Sequence, residues 1–287
     1  MTPVKQTNTL YQQLLPILIA SAGFLLITWP IWRWLWGEWM ANDYYSHGIL
    51  IVPVVLYLAW RRIHNLEEPI QWGMRADSRS LLWVAISLVI YLFFWQNKAY
   101  YLASFAMIGL LAGLIWTLGG FQLVKTLIFP IGYLLLMVPL PFIERLTLPL
   151  ALFTGICSGA LVTFLGLDVE IVGAAVKLPN AEFAIGAQCS GINSMISLIS
   201  LTALASYLLI GPLWGRIALV LVAIPLAMFG NILRVSNLLF IARYYGADAA
   251  FRFYHDYSGI VFFVLVMALF IPITRLLRCR QLRYDVL

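Results

Sequence analysis

Apolar stretches of membrane-spanning length recur from Leu14 to Leu277 with only short gaps between them. A helix needs about 20 apolar residues to cross a hydrocarbon core of roughly 30 Å. Inside that core each backbone N–H and C=O has to find its partner within the segment. A chain of 287 residues that is 63% hydrophobic and 10% charged has too little charged surface for a soluble domain of that size. The expected fold is an all-α polytopic membrane protein, a single transmembrane domain over 1–287. Eight spans are expected, at 13–31, 47–61, 79–96, 99–118, 121–139, 190–211, 217–242 and 257–276. The first shows no small-residue cleavage site and is read as a span rather than a removable leader. Trp32, Trp34, Trp36 and Trp39 follow it as an interfacial aromatic belt.

The net charge of +6 is a topology signal here and not a sign of nucleic acid. Arg61, Arg62, Arg75 and Arg79 cluster in one loop, and Arg275, Arg278, Arg280 and Arg283 cluster near the C-terminus. Placing both clusters on the cytoplasmic side puts eleven basic residues inside and six outside, with Arg234 within a span, and leaves eight of the twelve acidic residues outside. Both termini are then expected inside. Residues 142–166 are apolar enough to cross, but they contain Glu144, Arg145, Pro149, Gly155 and Gly159, and a ninth span would put one arginine cluster outside. They are read as an interfacial or re-entrant helix on the outer face. From Asp168 to Gln188 the pattern turns strand-like: Val169 and Ile171, then Val176 and Leu178, then Phe183 and Ile185 around Pro179-Asn180. The expectation is a short outer-face β-hairpin leading into Cys189.

Three residues could carry chemistry. Cys189, in Gly186-Ala187-Gln188-Cys189-Ser190-Gly191, is expected in the first turn of a helix, where free N–H groups and the dipole favour thiolate. Arg234 lies inside an apolar span, at a cost of about 2.5–3.5 kcal/mol at mid-helix, so it needs a partner or a role. From Arg216, 18 residues at about 1.5 Å each carry it roughly 27 Å, to the outer leaflet. His255 opens the last span at the same face, and histidine suits thiol activation near neutral pH. Taken singly, each has a plainer reading: a small buried cysteine, a snorkelling or ion-paired arginine, an interfacial histidine. Together they put a nucleophile, a charge stabiliser and an acid/base at one depth. His47 is a rival base, and His64 falls inside.

Cys157-Ser158-Gly159 repeats the tripeptide around Cys189 without the preceding hairpin. Cys279, between Arg278 and Arg280, suits packing or acylation. The cysteine spacing supports neither a disulfide framework nor a zinc site, so no metal or cofactor is expected. A small-solute transporter with Arg234 as an anion site would be expected to show internal repeats, and none is evident. A non-enzymatic scaffold or export component of an exopolysaccharide pathway would tolerate loss of the Cys189 thiol.

The same residues resemble the motifs of the exosortase/archaeosortase family. Ala187-Gln188-Cys189-Ser190-Gly191-Ile192-Asn193 is similar to its cysteine motif, and Asn231-Ile232-Leu233-Arg234-Val235 to its arginine motif. His255-Asp256-Tyr257-Ser258-Gly259 is similar to its histidine motif, and Tyr45-Ser46-His47-Gly48, before Trp60-Arg61-Arg62, to its N-terminal signature. The resemblance covers about 44–275, and Gln188 departs from the acidic or small residue that many members carry there. It implies a membrane-embedded cysteine protease or transpeptidase in a bacterial inner membrane. The implied partners are the lipid bilayer and membrane-anchored proteins that end in a Pro-Glu-Pro-type signal, a transmembrane helix and a basic tail. It implies Cys189 as nucleophile, Arg234 as oxyanion or orienting group and His255 as general acid/base. Gln188, Ser190, Asn231, Ser46 and His47 are the implied substrate contacts.

Overall fold

The computed structural model describes residues 4–66, 77–172, 175–178, 181–184 and 189–284. The chain divides into two compact units, Met1–Leu140 with Tyr284–Leu287, and Pro141–Arg283. Among the described residues, seven helical stretches are long and apolar enough to cross a membrane by length and composition.

The first unit holds α1 (Val4–Ala41), α2 (Gly48–His64), α3 (Ser78–Gln96), α4 (Tyr100–Gly119), α5 (Phe121–Thr126) and α6 (Ile128–Tyr133). α1 continues through all four tryptophans expected beyond it, and Trp39 is buried, its Nε1–H donating to the Met137 carbonyl at 3.0 Å. α3 and α4 approach closely because α4 offers glycine: a Cβ at Gly113 would sit 2.8 Å from Trp83 Cδ1. Trp83 Nε1–H donates to the Gly109 carbonyl at 3.0 Å across that contact.

The stretch expected as a span over 121–139 is instead broken into α5, α6 and a 3-10 turn, Leu134–Met137. Pro130 has no N–H to return to the Thr126 carbonyl, so the α-ladder breaks at Leu127. In the Tyr45-Ser46-His47-Gly48 signature, Tyr45 is buried and its hydroxyl bridges the Leu140 N–H and C=O, both at 2.9 Å. Gly48 lies against the Trp39 indole, where a Cβ would collide.

The second unit holds α7 (Ile143–Phe164), strands β1 (Glu170–Val172), β2 (Ala175–Leu178) and β3 (Ala181–Ala184), and α8 (Ile192–Leu208). These are followed by β4 (Leu209–Ile210), α9 (Leu213–Tyr245), α10 (Ala247–Phe253), a π-helical turn (Tyr254–Ser258), α11 (Gly259–Leu276) and β5 (Gln281–Leu282). Residues 142–166, read from sequence as interfacial, form one continuous helix of 22 residues, among the seven of spanning length. Glu144 falls in its first turn, where a carboxylate complements the dipole. Gly155 and Gly159 do not interrupt it. With Ala151, Thr154 and Ser158 they form its buried face, a small-residue stripe of the kind that brings helices into close contact. Ser158 Oγ–H donates to the Ile232 carbonyl of α9 at 3.1 Å.

The expected hairpin is a three-stranded antiparallel meander, β1-β2-β3. The turn at Pro179-Asn180 lies outside the described residues. Val176 and Leu178 are buried while Lys177 between them is exposed, and the register sets Lys177 opposite both Glu170 and Glu182. The apolar face of the sheet joins a core with Val162, Leu238, Leu239 and Ala242, against which Cys189 and Tyr254 pack. A second core gathers Leu198, Leu219, Ala223, Val266, Phe270 and Cys279. α9 is the spine of both. Its 33 residues measure about 50 Å, well beyond the ~30 Å hydrocarbon thickness. β4 and β5 pair Leu209 with Leu282 and Ile210 with Gln281, which ties the segment after α11 to the α8–α9 corner.

Candidate active site

Between its two apolar cores, α9 turns a polar face inward. Asn231 and Arg234 lie one turn apart, so both side chains project to the same side. Asn231 is buried, and its Nδ2 donates to the Cys189 carbonyl at 2.7 Å and to Thr154 Oγ1 of α7 at 3.1 Å. The arginine-motif helix thus grips the main chain of the cysteine motif. The contact depends on Gly191, which has φ +71, and a Cβ there would lie 2.6 Å from Asn231 Cγ. Glycine is required at 191 both for the left-handed backbone and for the close approach.

Gly191 also corrects one expectation. It is the N-cap residue of α8, which starts at Ile192, so Cys189 precedes the helix rather than occupying its first turn. A left-handed residue at the cap turns the chain away before the helical N–H groups begin, and the thiol takes its polar contacts from elsewhere. Tyr254, in the π-helical turn, directs its hydroxyl to Cys189 Sγ at 3.6 Å. The Arg234 guanidinium lies over the same ring, with Cζ 4.1 Å from the centroid. Such a cation–π contact stabilises by about 0.5–2 kcal/mol, more where water is excluded. Arg234 Nε–H donates to Ser258 Oγ at 2.9 Å, and Ser258 Oγ–H donates to the Tyr254 carbonyl at 2.6 Å. Cysteine, tyrosine, arginine and serine form one connected set.

Burial pushes the Tyr254 phenol well above its ordinary value, and a neighbouring Cys189 thiolate adds to this while Arg234 opposes it. The phenol therefore stays protonated at neutral pH and acts as a donor. Arg234 makes no ion pair with a carboxylate among the described residues; Ser258 and an aromatic face hold it in place. Among the described residues neither Nη group has an acceptor.

Of the residues expected from sequence, Cys189, Asn231 and Arg234 come together. The main chain of His255 lies next to Tyr254 in the same turn, and its side chain lies outside the described residues. Gln188 also lies outside them. Ser190 is buried and its Oγ accepts the Ile192 N–H at 3.4 Å, a local cap at the α8 entrance. Ser46 and His47 belong to the first unit: Ser46 is exposed with its Oγ–H on the Asp43 carbonyl at 3.2 Å, and His47 is the N-cap residue of α2.

Cys157 is half-buried on α7, where its tripeptide neighbours Ser158 and Gly159 serve helix packing. Cys279 is fully buried against Gly211, and burial pushes its thiol up, with Arg216 opposing. Packing accounts for it. Sequence reasoning missed Tyr254 and Ser258. The available signal was that they flank His255 four residues apart, a spacing that a helical turn closes.

Among the described residues, no group of three or more His, Cys, Asp or Glu gathers as metal ligands do. No curated protein and no solved structure matches the chain. A family model described as transmembrane exosortase matches residues 39–272, which takes in the α1–α2 corner and every residue of the connected set. The chain belongs to the transmembrane exosortase family.

Proposed function

We propose that the protein is a membrane-embedded cysteine peptidase or transpeptidase that removes C-terminal sorting signals from membrane-anchored proteins at the outer face of a bacterial inner membrane. The substrates are proteins ending in a Pro-Glu-Pro-type motif, a transmembrane helix and a basic tail, handled in surface sorting linked to exopolysaccharide. Both termini lie in the cytoplasm, and the Cys189 end of the second unit faces the periplasm.

The observation that carries this reading is the pairing of Cys189 Sγ with the Tyr254 hydroxyl at 3.6 Å while Arg234 stacks 4.1 Å from the centre of the same ring. A thiol that served packing alone would need neither a donor nor a cation in an apolar unit. A thiolate is the reactive form of cysteine, and a donor with a nearby cation is the setting that favours it.

In the proposed reaction, the Cys189 thiolate attacks the scissile carbonyl to form a C–S bond. The carbonyl π electrons move to oxygen, and the Nη groups of Arg234 stabilise that oxyanion. Collapse breaks the C–N bond. His255 gives a proton to the leaving amine, which departs with the helix and basic tail, and a thioester remains. An amine or water then gives a proton back to His255 as it attacks the thioester, and the C–S bond breaks to release the Cys189 thiolate.

The test is co-expression of a tagged protein bearing such a tail with wild type, Cys189→Ala and Cys157→Ala. Loss of tail cleavage only with Cys189→Ala is the expected result. Cleavage persisting at the wild-type rate in Cys189→Ala would remove the thiol mechanism and favour a scaffold role.

A further inference from the structure

α8, α9 and α11 enclose a narrow cleft beside the connected set. It is lined by polar Ser194, Asn231 and Arg234 and by Gly230, Gly259 and Phe262. Two of its polar lining residues are incompletely paired among the described residues. The Cys189 carbonyl can only accept, so the Asn231 amide must turn its NH2 toward it, and the two Nδ2 protons are used on that carbonyl and on Thr154. Asn231 Oδ1 is left buried with no donor among the described residues. Buried acceptors are almost always paired, so an unpaired one beside a cleft marks a place for a partner. One turn along the same helix, the Nη groups of Arg234 have no acceptor among the described residues.

We infer that this cleft is a peptide subsite. An extended substrate residue next to the scissile bond gives its N–H to Asn231 Oδ1 and its C=O to Arg234 Nη, and places a small aliphatic side chain between Gly230, Gly259 and Phe262. An extended residue presents its own N–H and C=O along one edge, as in a strand pair. An acceptor and a donor one helical turn apart are the complement of that edge. The size of the cleft, about 20 Å³, limits the side chain to a methyl-sized group. A lipid phosphate would satisfy Arg234 but would bring no donor to Oδ1. A Cβ at Gly259 meets nothing within 4 Å, so a larger side chain can be built at this lining position without a clash.

The inference rests on the cysteine-peptidase reading, and two readouts separate them. Full-length wild type, Gly259→Leu and Ser194→Leu, which fill the cleft from α11 and α8, are co-expressed with the tagged Pro-Glu-Pro-type substrate. Ile260→Phe, on the exposed side of α11, controls for added bulk. Tail processing is measured alongside iodoacetamide labelling of Cys189 in a Cys157→Ala background, because labelling needs no subsite. The expected result is a drop in processing of about 10- to 200-fold in both filled variants, the range for misfit in an apolar pocket. Labelling stays at the wild-type rate, and Ile260→Phe processes normally. Processing at the wild-type rate in both filled variants overturns the subsite and leaves the peptidase reading intact. Parallel loss of labelling and processing in both assigns the cleft to packing and overturns it too. A wild type that labels but does not process the tail removes both.

Discussion

Tyr254→Phe removes a single oxygen and leaves the ring beneath Arg234, so it isolates the bond to Cys189 Sγ. Hydrogen bonds to charged groups contribute about 1.5–3 kcal/mol, and at 3.6 Å to a large sulfur the low end applies. About 1.4 kcal/mol is tenfold in an equilibrium. The donor stabilises the charged form of the thiol, so its loss disfavours thiolate. The expected result is a fall of about tenfold in the rate of Cys189 alkylation at neutral pH. The assay is iodoacetamide labelling followed by intact-mass measurement on membranes from a Cys157→Ala background, with Cys279 shielded by burial. Tyr254→Leu also removes the face on which Arg234 rests and should lose more. A phenylalanine variant that labels at the wild-type rate would refute the assignment of Tyr254 as a donor to sulfur.

Arg234→Lys keeps the charge but loses the planar fork that holds Ser258 and stacks on Tyr254. Tail processing should fall by about 10²–10³-fold, the range for loss of one oxyanion donor, with alkylation of Cys189 little changed; equal processing would remove Arg234 from the chemistry. Gly191→Ala meets both the positive φ and the 2.6 Å approach to Asn231. Left-handed strain alone costs about 1–2 kcal/mol, so a variant with wild-type processing and wild-type thermal stability in detergent would contradict the close-approach argument.

The apolar segments themselves were legible because spanning a bilayer leaves so few solutions. Errors arose where a hydropathy window averages over backbone chemistry. The window over 121–139 is apolar enough to span, but averaging hides the missing donor at Pro130 that divides α5 from α6. Over 142–166 the expected helix is present, continuous and long enough to span. Glu144, Pro149 and two glycines read as reasons for a helix not to span, yet Glu144 suits the first turn and the glycines are packing residues against α9. In a membrane unit glycine marks close approach at least as often as a break, and only the identity of the facing helix tells the two apart.

The candidate site divides along the same line. Cys189 and Arg234 drew attention in the sequence through their joint placement at one face, a cysteine expected at a helix start and a charge inside an apolar span. Tyr254 could not stand out, since the chain has fourteen tyrosines and most need no special explanation. Its role comes from a π-helical turn that places its hydroxyl on Cys189 and its ring under Arg234 while a serine four residues on accepts from the arginine. π-Helical turns are seldom kept without a functional reason. This one accounts for the compactness of the His255-Asp256-Tyr257-Ser258-Gly259 motif: the turn delivers Tyr254 to the sulfur and Ser258 to the guanidinium from either end of one loop. The main chain of His255 therefore lies on a segment whose two ends are fixed to Cys189 and to Arg234.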